Sequence, residues 1–336
     1  MAVTAKVEKP PIPTLWLDTS IGVKLAKAGR SELPEAEAAP LLALKALVTR
    51  LTLARRLLCV EGEQDEEYGS ARLDEETAAE FSRMTLGIQL DHSLAIRDKQ
   101  IFLGMDALTE DLEQIVIPWR VFFSRDPLKE LAEIGRRGWF IRVGPPGAPF
   151  GKAPREMRHQ DAVVFEQWRI RNRESGKSFE EQFKAELASE ADLIPHQWAE
   201  SERKTLQGQL TLVDSLAMEG PRMYVDHWKR LGGRPEGIEG LRHYLRSEHH
   251  RAIPANRIPA TLWADILTGD EQVRPGDPGD VHLLSPAISI AHFVLTDIRA
   301  RRRILRRGLD AAWGATVYSV RELTDLMETL RRLEPA

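Results

Sequence analysis

Two aspartates sit at the same kind of place in this chain. Asp18 ends the apolar run Thr14-Leu15-Trp16-Leu17, and Asp297 ends the run His292-Phe293-Val294-Leu295-Thr296. Short apolar runs of this length suit buried strands. In open parallel sheets ligands bind beyond the carboxyl ends of the strands, so both acids are expected to face one crevice. A third acid, Asp280, opens the stretch that leads into the second of these strands, at a helix N-cap or first turn, where a carboxylate suits the helix dipole. A cluster of five more, Glu61, Glu63, Asp65, Glu66 and Glu67, follows the apolar run Leu57–Val60.

Carboxylates that share a crevice repel one another and resist ionisation. They stay charged together only around a cation, and hard oxygen donors select Mg²⁺ or Mn²⁺. A cation held there can polarise a phosphoryl oxygen and ionise a water for in-line attack. Such chemistry needs acids fixed to fractions of an ångström, which strand ends supply.

The elements that must position these acids alternate along both ends of the chain. A strand over 14–17 leads through Thr19-Ser20 into a helix starting at Ile21. A Leu-rich amphipathic helix over 41–56 leads to a strand over 57–60. Near the end, Leu283, Leu284, Ala287, Ile288 and Ala291 form a helical stripe before the strand ending at Asp297. An Arg-rich helix, a strand over 316–320 and a helix over 321–332 close the chain. Strands alternating with helices predict a parallel sheet with helices on both faces, three layers in all, and right-handed crossovers bring the two ends into one sheet. Residues 1–13, with three Pro, read as a loose arm.

Between these ends the patterns are helical. Phe179, Phe183 and Leu187 share one helical face, as do Leu241, Tyr244 and Leu245. Gly144–Pro149 and Gly232-Gly233-Arg234-Pro235 are breakers. The expected division is an α/β core over 14–69 and 271–336, interrupted by a mostly helical insertion over 70–270.

Leu17-Asp18-Thr19-Ser20 resembles the opening motif of the PIN-like nuclease superfamily. The unit running from Asp280-Val281-His282 to Leu295-Thr296-Asp297 resembles its late acid-helix-strand-acid segment, and Val317-Tyr318-Ser319-Val320 with Arg321-Glu322-Leu323 resembles its final strand and helix. The likeness covers roughly 130 residues split between the two ends. It implies a PIN-like α/β fold and a Mg²⁺- or Mn²⁺-dependent nuclease acting on RNA or single-stranded nucleic acid. Asp18, Asp280 and Asp297 would be metal-site acids, with Ser20 and Thr296 as supporting polar groups that contact the nucleic acid. Such proteins carry another acid after the second strand. Glu67, with Glu66 next, is the choice here, because the helix after that strand should present its acid about a turn later.

Six of the nine residues 299–307 are Arg, in a chain whose formal net charge is −4. Any phosphate-binding surface must therefore be local. Arg299, Arg302, Arg303 and Arg306 share a helical face and are the expected nucleic-acid contacts, since guanidinium pairs with phosphate in a bidentate fork. Arg242, Tyr244, Arg246, His249 and His250 form a weaker second patch. His243, His249 and His250 lack a Cys or carboxylate at zinc spacing.

Other chemistry fits less well. Gly147–Lys152 fails as a phosphate loop, with Pro146 at the first glycine position and Ala153 at the hydroxyl. No G-x-G-x-x-G follows the first strand and no G-x-S-x-G occurs. A haloacid-dehalogenase-like phosphatase also places an Asp after its first strand but usually needs a second Asp two residues on, where this chain has Ser20. A silent PIN-like nucleic-acid- or partner-binding protein is the non-enzymatic alternative. The single thiol, Cys59, excludes an internal disulfide and fits a reducing cytoplasm. Neither a secretory h-region nor an apolar run of spanning length is evident, so no membrane is expected. The insertion could serve as a lid, a substrate reader or the arm of a homodimer.

Overall fold

The structure is a computed structural model that describes residues 3–63, 81–137 and 153–334. In chain order the strands are β1 (Thr4–Val7), β2 (Thr14–Leu17), β3 (Leu58–Val60), β4 (Gln114–Ile117), β5 (Phe293–Thr296) and β6 (Thr316–Ser319). The helices on which the argument depends are α1 (Thr19–Gly29), α2 (Glu35–Leu53), α3 (Ser93–Thr109), α4 (Ala153–Glu174), α5 (Phe179–Leu206), α6 (Glu219–Arg230), α7 (Gly237–Arg246), α8 (Asp277–Ile290), α9 (Ile298–Arg306) and α10 (Leu323–Arg331).

The chain divides into two compact units. The first comprises residues 1–6, 94–117 and 168–271, and the second residues 7–93, 118–167 and 272–336. The second unit holds the acids. The described residues 81–93, 118–137 and 153–167 group with this second unit.

The second unit is built on a four-stranded parallel sheet in the order β3-β2-β5-β6. The first and last segments of the chain thus meet as the central strands, with Leu15 beside Phe293, Trp16 beside Val294 and Leu17 beside Leu295. Every β2 residue is buried, which explains why the strand reads as a continuous apolar run rather than an alternation. Leu15, Leu17, Cys59 and Leu295 join the core formed by α1, α2 and α10. Trp16 and Val294, on the opposite face, are buried as well. The coarse expectation of an α/β fold with a parallel sheet holds. Burial pushes the Cys59 thiol well above its ordinary range, with the Glu61 charge adding to the effect, so it is an inert core group.

Local boundaries follow capping chemistry. Helix α2 begins at Glu35, earlier than the Leu-rich stretch suggests, because Pro34 enters it in extended conformation and Glu35 and Glu37 complement its positive end. The N-terminal arm is a correction: Thr4–Lys6 pair with β4 in the first unit. Further along, Lys9 donates to the carbonyls of Ser289 and Ala291 at 3.0 and 2.9 Å, satisfying the C-terminal end of α8. Burial lowers the Lys9 pKa to about 8.

The first unit is mostly helical. Its centre is polar as well as apolar: Arg97 pairs with Glu190, and His250 lies 3.3 Å from the same carboxylate. Tyr244 is fully buried, His250 is 1% exposed and His249 Nε2 donates to the carbonyl of Leu112 at 2.8 Å. The expected second basic patch is therefore corrected, since Tyr244, His249 and His250 are interior groups of this unit. Gly144–Pro149 and Gly147–Lys152 lie outside the described residues.

Candidate metal centre

Parallel register sets the site. Strands β2 and β5 end side by side, and the amide of Asp18 donates to the carbonyl of Leu295 at 2.9 Å. That places Asp18 beside Thr296, whose hydroxyl donates to Asp18 Oδ2 at 2.7 Å in the interior. The other oxygen, Oδ1, accepts from the Ser20 amide at 2.7 Å, which makes Asp18 the N-cap of α1. Asp297 plays the same part for α9: its Oδ1 accepts from the amides of Arg299 and Ala300 at 2.6 and 2.8 Å. These bonds fix both carboxylates without using Asp297 Oδ2.

Asp280 lies in the first turn of α8, as expected, while Gly276 occupies the cap position. Asp18, Asp280 and Asp297 all line one pocket of about 300 Å³ within the second unit. Ser20 lines it too, together with Asp277, Arg158, Arg274 and Arg299. Three helix N-termini, those of α1, α8 and α9, thus supply acids to one space.

The electrostatics follow from that convergence. Asp18 is 7% exposed. Burial raises its pKa, against the lowering effect of the Thr296 and Ser20 hydrogen bonds, and the nearby Asp297 charge raises it further.

Comparison of the chain with family models, curated proteins and solved structures finds no match. The chemistry of the pocket therefore rests on its own residues. Among the described residues no three His, Cys, Asp or Glu side chains stand close enough to hold a metal ion by themselves. Mg²⁺ commonly takes only one or two carboxylates and fills the rest of its octahedron with waters and substrate phosphates. Asp18 and Asp297 across adjacent strand ends, with Asp280 on the same pocket, fit that kind of donor set.

The other expected residues divide. Glu67, Glu66 and Asp65 lie outside the described residues. Glu61 is fully buried and accepts from Gln89 Nε2 at 3.2 Å. Glu63 accepts from the Ser93 amide at 2.7 Å and lies 2.9 Å from both His92 and His282, which hold its carboxyl below the ordinary range despite the opposing effect of burial. Neither lines the pocket.

The arginine stripe on α9 is corrected in part. Arg303 is 5% exposed and its Nη1 lies 2.6 Å from Asp277 Oδ1, so it is an interior ion pair rather than a surface contact. Arg302 and Arg306 are exposed, and Arg299 alone of the four reaches the pocket.

Three residues carry weight that sequence reasoning missed. Asp277 is 2% exposed and accepts from the Arg274 amide at 2.7 Å as well as from Arg303, with Arg299 Nη2 at 3.5 Å. The Pro-Gly-Asp-Pro-Gly loop signal hid it. Arg158 and Arg274 carry no local motif that marks them.

Proposed function

We propose that the chain is a metal-dependent nuclease, hydrolysing phosphodiester bonds of RNA or single-stranded nucleic acid, with a PIN-like α/β unit as its catalytic part. One observation supports this most: Asp18, far in sequence from Asp280 and Asp297, lines a single pocket with them at the carboxyl edge of a parallel sheet. That edge is where sheets of this kind take their ligands.

Asp18 and Asp297 would hold the ion, with Asp280 binding directly or through water, and an acid of the 65–67 cluster is the proposed fourth member. A bound Mg²⁺ or Mn²⁺ would supply Lewis-acid polarisation of a phosphoryl oxygen and lower the pKa of a bound water. The protein's own share is orientation. Thr296 and the Ser20 amide lock both oxygens of Asp18, and two α9 amides lock Asp297. Asp18 is buried beside Asp297, and a cation between the two would relieve their mutual repulsion.

The test is cleavage of labelled RNA and single-stranded DNA with Mn²⁺ by the wild type and by Asp18→Asn and Asp297→Asn. Both variants are expected to lose activity. Undiminished cutting by both removes the mechanism. A silent nucleic-acid-binding role is favoured by one observation, the lack of a ready three-ligand cluster among the described residues. It predicts no stabilisation by Mg²⁺ or Mn²⁺, because only a ligand that binds the native state raises stability by mass action.

A further inference from the structure

The pocket is not simply acidic. Arg158 on α4, Arg274 in the loop before α8 and Arg299 in the first turn of α9 line it alongside the four aspartates. Arg303 does not line the pocket but bonds to Asp277, which does. Arg303 offsets Asp277, so the remaining three carboxylates and three guanidiniums of the lining balance formally. A divalent cation then leaves the pocket with two surplus positive charges.

From this balance we infer that Arg158, Arg274 and Arg299 form a phosphate-binding wall beside the acids, and that a phosphate group and a divalent cation bind there cooperatively. The inference rests on the metal reading above. It moves the phosphate contacts from the outer face of α9 to three separate segments around the pocket.

Arg299 illustrates how the wall is set. It is held by the carbonyl of Gln272 at 2.6 Å and stands 3.5 Å from Asp277, longer than a hydrogen bond to a carboxylate. The Gln272 carbonyl and the looser ion pair with Asp277, whose shorter bond goes to Arg303, hold its guanidinium at the pocket. Guanidinium matches the geometry of phosphate oxygens, and Mg²⁺ takes substrate phosphate oxygens into its own coordination. A phosphate seated between the arginines and the ion contacts both, so each ligand strengthens binding of the other by the same factor.

The experiment is thermal unfolding of the full chain with Mg²⁺, with adenosine 5′-monophosphate as the phosphate probe and adenosine as its phosphate-free control. For the wild type, Mg²⁺ raises the midpoint, and the monophosphate binds about fivefold or more tightly with Mg²⁺ than without it. Adenosine adds nothing. The Arg158→Met/Arg274→Met variant keeps the Mg²⁺ shift and loses the enhancement. Arg274→Gln, at an exposed side chain, gives a smaller loss and serves where the double variant does not fold.

Three results overturn the inference. In the first, the variants keep the full enhancement. In the second, adenosine matches the monophosphate. In either case, a persisting Mg²⁺ shift leaves the metal reading standing. In the third, Mg²⁺ gives the wild type no shift, which removes the metal reading and the coupling with it.

Discussion

Asp277 ties three segments together, and breaking that tie has a calculable asymmetry. Asp277→Ala strands Arg303 as a buried charge and removes the acceptor for the Arg274 amide. Removing one partner of a buried pair costs about 3–5 kcal/mol, because the other charge is left unsolvated. Arg303→Met is milder. Asp277 keeps the Arg274 amide at 2.7 Å and Arg299 at 3.5 Å, so the cost is that of a partly satisfied buried acceptor, about 1–3 kcal/mol. Asp277→Leu combined with Arg303→Met removes both charges and should fall nearer the wild type than Asp277→Ala does. Hydrogen exchange on peptides spanning 277–290 and 293–306 reads these openings locally, without assuming that the two units unfold together. Protection in Asp277→Ala should drop roughly a hundredfold or more. Equal losses in both single variants, or a double variant worse than Asp277→Ala, would refute the compensation between these charges.

Other perturbations have equally definite outcomes. In the first unit, burial alone would raise the Glu190 pKa, but His250 and Arg97 lower it to about 2 from 4.5. A depressed carboxylate contributes stability that is present above pH 4.5 and lost as pH falls toward 2; the shift corresponds to at most about 3 kcal/mol, discounted because the side chain is 30% exposed. Acid unfolding followed by circular dichroism should show Glu190→Gln flattening that loss, and an unchanged slope would contradict the assignment. Gly240→Ala places a Cβ 2.0 Å from the Pro235 carbonyl and 2.3 Å from Trp228 Nε1, which already donates to that carbonyl. Overpacking of this kind costs about 1–3 kcal/mol or more, and denaturant unfolding at wild-type stability would show that the α6–α7 turn yields freely. Thr296→Val removes the hydroxyl bond to Asp18 and should weaken Mn²⁺ binding in calorimetry by about tenfold, near the lower end for lost supporting hydrogen bonds at metal sites, whereas unaltered affinity would mean that Asp18 needs no such anchor.

How much of this was legible in the sequence depended on the range of the signal. The strand-then-acid units at Asp18 and Asp297 could be read because burial on both faces makes a short apolar run, and the next residue begins a helix that its carboxylate caps. Their meeting in one pocket followed from parallel topology. Arg303 and Asp277 were opaque because each takes its meaning from the other, across the β5 strand. Counting arginines on a helical face cannot tell which of them turns inward toward a buried acid. Arg158 and Arg274 reach the pocket from segments with no periodicity that singles them out. The N-terminal arm shows the opposite failure: Thr4–Val7 alternates between exposed and half-buried positions as an edge strand does, but the prolines after it dominated the reading.

The most direct measurement is anomalous diffraction from crystals equilibrated with Mn²⁺. A manganese peak within coordinating reach of Asp18 and Asp297, on the pocket shared with Asp280 and lost in Asp297→Asn, is the predicted result. Saturating Mn²⁺ with no peak there, or a peak confined to another part of the chain, would contradict a metal-dependent site at this sheet edge.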